Sequence, residues 1–254
     1  MDTKQVVVNR LLTTYSVLGS GSRKIILLHG WGDNSKTFSQ LLGEINTKDY
    51  QFYMPDLPGF GGTESPRESW GLSNYAEFVR EFIKKLDLKV YCVIGHSNGG
   101  AIAIRALSNN YMQSEKLILI ASAGIRGEYR GRKKIMRLIA KAGKVATYPL
   151  PKATKKKIRG RVYKTIGSDM LVAEHLQETF KKVVSDDVRQ DATKLKIDTL
   201  LIYGSEDSST PPSYGQKLSV SIKDSKLELV DGAGHFVHQE YANYVADLVV
   251  RFLA

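Results

Sequence analysis

The 254-residue sequence holds a single cysteine, Cys92, so no disulfide can form within the chain, and the lone thiol fits a reducing compartment. Long apolar runs are also missing: no stretch approaches the roughly 20 apolar residues that crossing a bilayer requires. The opening segment, MDTKQVVVNRLLTTYSV, lacks the continuous apolar core and small-residue cleavage site of a secretory leader. Together these absences predict a soluble, cytoplasmic protein. No metal-ligand cluster and no dinucleotide-binding fingerprint occurs, so neither a metal nor a cofactor is expected. There is no internal repeat and no low-complexity linker.

The remaining composition is that of a globular protein able to bury one substantial core, with 42% hydrophobic and 25% charged residues. Six short apolar runs, at 24–30, 50–59, 90–97, 116–122, 199–205 and 226–232, read as strands, each ending in Gly, Pro, Ser or Asp. Continuous runs of this kind suit strands buried on both faces, as in a parallel sheet covered by helices. Helical patterns lie between them. Residues 73–86 open on a Ser73 N-cap and carry Tyr75, Phe78, Val79, Phe82, Ile83 and Leu86 on one stripe. Residues 98–109 and 241–253 form two further helices. This alternation predicts an α/β fold with a doubly wound, mostly parallel sheet. The first 20 residues read instead as an antiparallel hairpin.

Residues 125–192 break the rhythm, being helical in pattern with no convincing strand. Lying between two sheet strands, they are an insertion into a core made of 1–124 and 193–254. The insertion also concentrates the charge. From Arg126 to Lys164 there are 15 basic residues and one acid, Glu128, a local balance of +14 against +11 for the whole chain, which leaves −3 for the rest. Ile135, Leu138, Ile139, Ala142 and Ala146 fall on one helical face there. Three readings of the charge stay open: a solvated outer surface, an anionic partner such as a membrane surface or acidic substrate, and nucleic acid. KKKIRGR (155–161) would suit phosphates, but no nucleic-acid-binding motif accompanies it, so that partner is disfavoured.

Gly95-His96-Ser97-Asn98-Gly99 follows a strand directly and precedes a helix, the context of a nucleophile elbow. The turn is tight enough to force Ser97 into an unfavourable backbone, and side chains at the flanking glycines would collide with it. The hydroxyl is thereby presented at a helix N-terminus, where the dipole favours developing negative charge. A serine hydroxyl needs a base oriented by an acid. Asp207 follows the strand TLLIYG, and His235 follows the last strand in GAGH. Both therefore lie beyond the carboxyl ends of sheet strands, where ligands and catalytic groups collect. Among five histidines, His29, His96, His175, His235 and His238, only His235 meets the positional requirement cleanly. His238 is the alternative base, expected to begin the last helix, and Glu206 the alternative acid. His96 is expected to point away from the serine.

With LLHGWG (27–32), DLPGFGGT (56–63), GHSNGG (95–100), YGSED (203–207) and GAGHF (232–236), the chain resembles the α/β-hydrolase family over essentially its whole length. The resemblance implies Ser97, Asp207 and His235 as the triad and the backbone N–H groups of Trp31 and Asn98 as the oxyanion hole. It implies that His29 and Gly30 shape that loop, and that Asp56 with glycines 59, 61 and 62 forms a buried turn. The insertion at 125–192 then corresponds to a helical cap. A serine nucleophile sets aside haloalkane dehalogenases and epoxide hydrolases, which resemble the layout but use aspartate. The expected function is hydrolysis of a small-molecule carboxylic ester or related acyl substrate through an acyl-enzyme. The alternatives are a carbon–carbon bond hydrolase of the ring-cleavage-product type and a hydrolase-fold receptor with little turnover. Carbon–carbon bond hydrolases usually have asparagine before the serine, where this chain has His96.

Overall fold

A computed structural model describes residues 1–126 and 174–254. Its centre is one eight-stranded sheet. The strands are β1 (Asp2–Val8), β2 (Leu11–Gly19), β3 (Arg23–Leu28), β4 (Tyr50–Pro55), β5 (Val90–His96), β6 (Lys116–Ile120), β7 (Asp198–Gly204) and β8 (Ser225–Val230), in the order β1-β2-β4-β3-β5-β6-β7-β8. The first two strands form the expected antiparallel hairpin. Its two-residue turn, Asn9-Arg10, has φ of 49° and 67°, the left-handed backbone that matches strand twist in tight hairpins. β2 also runs antiparallel to β4, and every pairing from β4 to β8 is parallel. The α/β, doubly wound, mostly parallel architecture expected from the sequence is the one observed.

Period-two alternation divides the core between the two faces. Ile26 and Leu28 point to one layer and Ile25 and Leu27 to the other, all four fully buried. Helices α2 (Leu72–Lys85), α3 (Asn98–Ser108) and α6 (Pro212–Ser221) cover the first layer. Helices α1 (Ser39–Gly43), α7 (Val237–Glu240) and α8 (Ala242–Leu253) cover the second. Burying one such aliphatic side chain contributes roughly 1.5–3 kcal/mol, which is why these runs must lie inside.

Three local expectations need correction. Helix α2 begins at Leu72, with Gly71 in the N-cap position instead of Ser73. Asn74 accepts the Gly71 N–H and Asp186 the Leu72 N–H, so acceptors from outside position 73 satisfy the helix start, while Ser73 accepts from Arg105. The last strand, β8, is not buried on both faces: as the sheet edge it leaves Leu229 46% exposed. His238 lies in the separate turn α7, before the last helix.

The chain turns back between β3 and β5, since β4 lies outside β3, and the C-terminal ends of β3 and β5 meet at this switch point. The segment expected to be an inserted helical cap lies between β6 and β7. Its described return segment contains α4 (Gln177–Val183) and α5 (Arg189–Ala192). Where the insertion leaves and rejoins the core, the Val188 N–H donates to Gly124 O at 2.8 Å and the Arg126 N–H to Asp187 at 3.2 Å. Arg105 on α3 pairs with Asp191 at 2.8 Å. The amphipathic face at 135–146 and KKKIRGR lie outside the described residues, as does the basic segment apart from Arg126. Among the described residues, no helix is long and apolar enough to cross a membrane.

Candidate active site

Ser97 ends β5 and opens α3 with φ 51° and ψ −117°, a backbone a serine adopts only under constraint. Its N–H donates to Ile120 O, and its carbonyl accepts from Gly100 and Ala123, so neighbours on both sides fix the turn. The flanking glycines are obligatory. A Cβ on Gly95 would lie 2.5 Å from Gly100 Cα, and one on Gly99 2.0 Å from Leu28 O.

His235 reaches this serine from the loop after β8. Its Nε2 is 3.1 Å from Ser97 Oγ and its Nδ1 2.8 Å from Asp207 Oδ2. A carboxylate oxygen only accepts, so Nδ1 carries the proton and Nε2 turns its lone pair to the serine. Asp207 stands after β7, its Oδ1 accepting the N–H groups of Ser209 (2.7 Å) and Thr210 (2.9 Å). Burial pushes its carboxyl up, but hydrogen bonds from His235 and Thr210 outweigh burial and hold it below the ordinary carboxylate range. The structure thus brings Ser97, Asp207 and His235 together. The alternatives lie elsewhere: Glu206 is exposed, and His238 is turned to Thr37 Oγ1 at 3.2 Å.

The His-Gly-Trp loop after β3 lies against the elbow, where a Cβ on Gly30 would come within 3.2 Å of Ser97 Cβ. His29 is a structural hydrogen-bonder. Its Nε2 accepts the Leu57 N–H at 2.8 Å, so its Nδ1–H donates to Gly30 O at 2.7 Å and fixes the loop. Burial lowers its pKa. Neither the Trp31 nor the Asn98 backbone N–H has another partner among the described residues. The Trp31 ring packs on Phe60 at 4.8 Å and on Phe180 of α4 at 5.1 Å, tying the loop to the segment that leads back to β7. Asp56, itself buried, accepts from the N–H groups of Ser35 and Gly62 and closes the turn, but the turn is not buried as expected: Gly61 and Gly62 are exposed, because the turn's far side faces solvent.

Three further residues hold His235, and sequence reasoning assigned none of them this part. His96 does turn away from the serine, but its Nε2–H donates to His235 O at 3.1 Å. Burial, then His238 and His235, keep its pKa well below the usual imidazole value, so it is neutral. Glu240 accepts from the N–H groups flanking His235, those of Gly234 at 2.6 Å and Phe236 at 3.2 Å. Thr210 Oγ1 reaches both Asp207 and His235. Only Thr210 had a legible cue, because an aspartate commonly caps the N–H groups two and three residues on. Among the described residues, no group of three or more His, Cys, Asp or Glu side chains could hold a metal ion.

The family described as serine aminopeptidase, S33, matches residues 20–242. The chain is 28% identical to the AB hydrolase superfamily protein YisY of Bacillus subtilis, over 92% of each chain. Its fold is similar to that of an esterase from Exiguobacterium antarcticum (20% identity, 98% of both chains, TM-score 0.77). It is likewise similar to that of a meta-cleavage product hydrolase from Pseudomonas fluorescens IP01 (21% identity, 98% of this chain and 96% of that one, TM-score 0.73).

Proposed function

Since the chain belongs to the serine aminopeptidase, S33, family of α/β-hydrolases, we propose that it is a serine hydrolase cleaving a small carboxylic ester or related acyl compound through an acyl-enzyme on Ser97. The observation that carries this reading is the unbroken line of contacts from Asp207 Oδ2 through His235 to Ser97 Oγ, at 2.8 and 3.1 Å. In this reading Ser97 Oγ attacks the carbonyl carbon while its proton passes to His235 Nε2. The imidazolium so formed stays beside the Asp207 carboxylate. The tetrahedral oxyanion sits against the N–H groups of Trp31 and Asn98, each such donor contributing about 2.7–4 kcal/mol to lowering the barrier. Collapse breaks the bond to the leaving group, which takes the proton from Nε2. Water, deprotonated by the same imidazole, then attacks the acyl-enzyme, releasing the acid and restoring Ser97.

The test is turnover of p-nitrophenyl acyl esters of graded chain length by the protein and by Ser97→Ala. The unaltered protein is expected to hydrolyse at least the short esters and to be labelled at Ser97 by a fluorophosphonate. The variant is expected to lose both properties. Undiminished ester turnover in Ser97→Ala would refute the assignment, and labelling followed by a single burst without turnover would favour a receptor.

A further inference from the structure

We propose that Thr210 is a positioning residue whose hydroxyl follows the imidazole of His235 between its neutral and protonated forms. This inference rests on the triad reading above. Thr210 Oγ1 lies 2.7 Å from Asp207 Oδ2, 2.9 Å from Ala121 O and 3.1 Å from His235 Nδ1, and the residue is only 4% exposed. A hydroxyl has one proton and two lone pairs. Asp207 Oδ2 and Ala121 O can only accept, whereas Nδ1–H can only donate. The single Thr210 proton therefore serves one acceptor at a time, while a lone pair stays open to Nδ1–H.

Two arrangements follow. With its proton on Asp207, Thr210 stabilises the carboxylate while His235 is neutral. With its proton on Ala121 O, it leaves the carboxylate charge undiluted, while its lone pair faces Nδ1–H as in the first arrangement. The second arrangement suits the imidazolium and is reached by rotating one O–H bond, with no heavy atom moving. No bond to Thr210 forms or breaks. The Ser97 proton goes to Nε2, and Nδ1 keeps its own proton throughout.

The Ala121 carbonyl is itself specially placed. Ala121 has φ 45°, a left-handed backbone unfavourable for alanine, and its N–H is held by Ile202 O at 2.8 Å. The strained turn after β6 thus delivers to Thr210 the alternative acceptor that the switch needs.

The experiment compares Thr210→Val, Thr210→Ala and Thr210→Ser with the unaltered protein, using p-nitrophenyl ester turnover and the rate of fluorophosphonate labelling. Thr210→Val is expected to lower kcat about tenfold to a hundredfold and to slow labelling in parallel, with KM nearly unchanged, the size of one charge-assisted hydrogen bond. Thr210→Ser, which keeps the hydroxyl, is expected to stay within about threefold of the unaltered rate. Thr210→Ala removes the same hydroxyl without a substitute methyl and gives the reading if the valine variant does not fold. Full activity in the variants lacking the hydroxyl would overturn the inference, as would a serine variant as slow as they are. If the unaltered protein were not labelled at Ser97, the triad reading itself would fall, and the role of Thr210 with it.

Discussion

Acidification from pH 7 to pH 5 is expected to remove about 2 kcal/mol of folding stability through one imidazole, that of His238. This ring is fully buried, 4.4 Å from His96 and 5.5 Å from Phe38, and its Nδ1 has no hydrogen-bond partner among the described residues. Thr37 Oγ1 meets its Nε2, Asp33 favours the charged form, and His235 opposes it. Burial dominates and lowers its pKa from 6.5 to about 4. An unfolded chain takes up this proton near the ordinary value, whereas the folded one resists until about 4. Unfolding therefore binds a proton between those two values. The His238 contribution is complete above the upper one and is lost as pH falls through the window. At roughly 1.36 kcal/mol per pH unit the full gap is worth about 3 kcal/mol, of which about 2 is gone by pH 5. Because His96 and His29 are also depressed and act in the same direction, the measurement must isolate one ring. Urea denaturation followed by circular dichroism, at pH 7 and pH 5, on the unaltered protein and on His238→Gln supplies this difference. The glutamine keeps an amide for Thr37 but cannot be charged. The acid-induced loss is expected to be smaller by about 2 kcal/mol in the variant. Equal losses in the two proteins would refute the reasoning.

Two further outcomes follow from the geometry around the elbow and the histidine loop. Gly95→Ala places a methyl 2.5 Å from backbone at Gly100, which cannot give way, so destabilisation beyond about 3 kcal/mol and loss of fluorophosphonate labelling are expected. A variant as stable as the parent in urea would contradict the tightness of the turn. Glu240→Ala frees the two N–H groups beside His235 at an exposed position, so a Tm change of only a few degrees is expected alongside a fall in kcat of about tenfold. Steady-state kinetics showing kcat unchanged would mean that the loop holds itself.

The fold was legible where one physical requirement acted alone. Runs such as IILL (25–28) must be buried whichever way the chain turns, and the glycines around Ser97 fit no looser turn. Asp207 and His235 were legible because both follow strands whose ends lie along one sheet edge. The start of α2 was misplaced for the opposite reason. Its cap depends on Asp186, 114 residues along the chain, and Ser73 is drawn off by Arg105. β8 was misjudged because apolar content does not reveal which strand comes last in a sheet. Glu240 escaped notice because a glutamate near a helix start is ordinary, and only the loop path shows which N–H groups it meets. His96 was correctly turned from the serine, but its hold on the His235 carbonyl needs three-dimensional proximity that no spacing encodes.

The narrow neck at Gly124 and Val188 has a consequence for how such a protein can diversify. Two short hydrogen-bonded stems join the inserted segment to the sheet. Residues 174–192 are also bound to the core, Asp186 capping the helix at Leu72, Asp191 pairing with Arg105 and Phe180 packing on Trp31, so a change of length is cheap only outside them. Lengthening a closed loop costs only slowly rising entropy, roughly 0.6 kcal/mol per doubling. A change of length or charge between Arg126 and Glu174 would therefore leave those contacts, and the relative positions of Ser97, Asp207 and His235, in place.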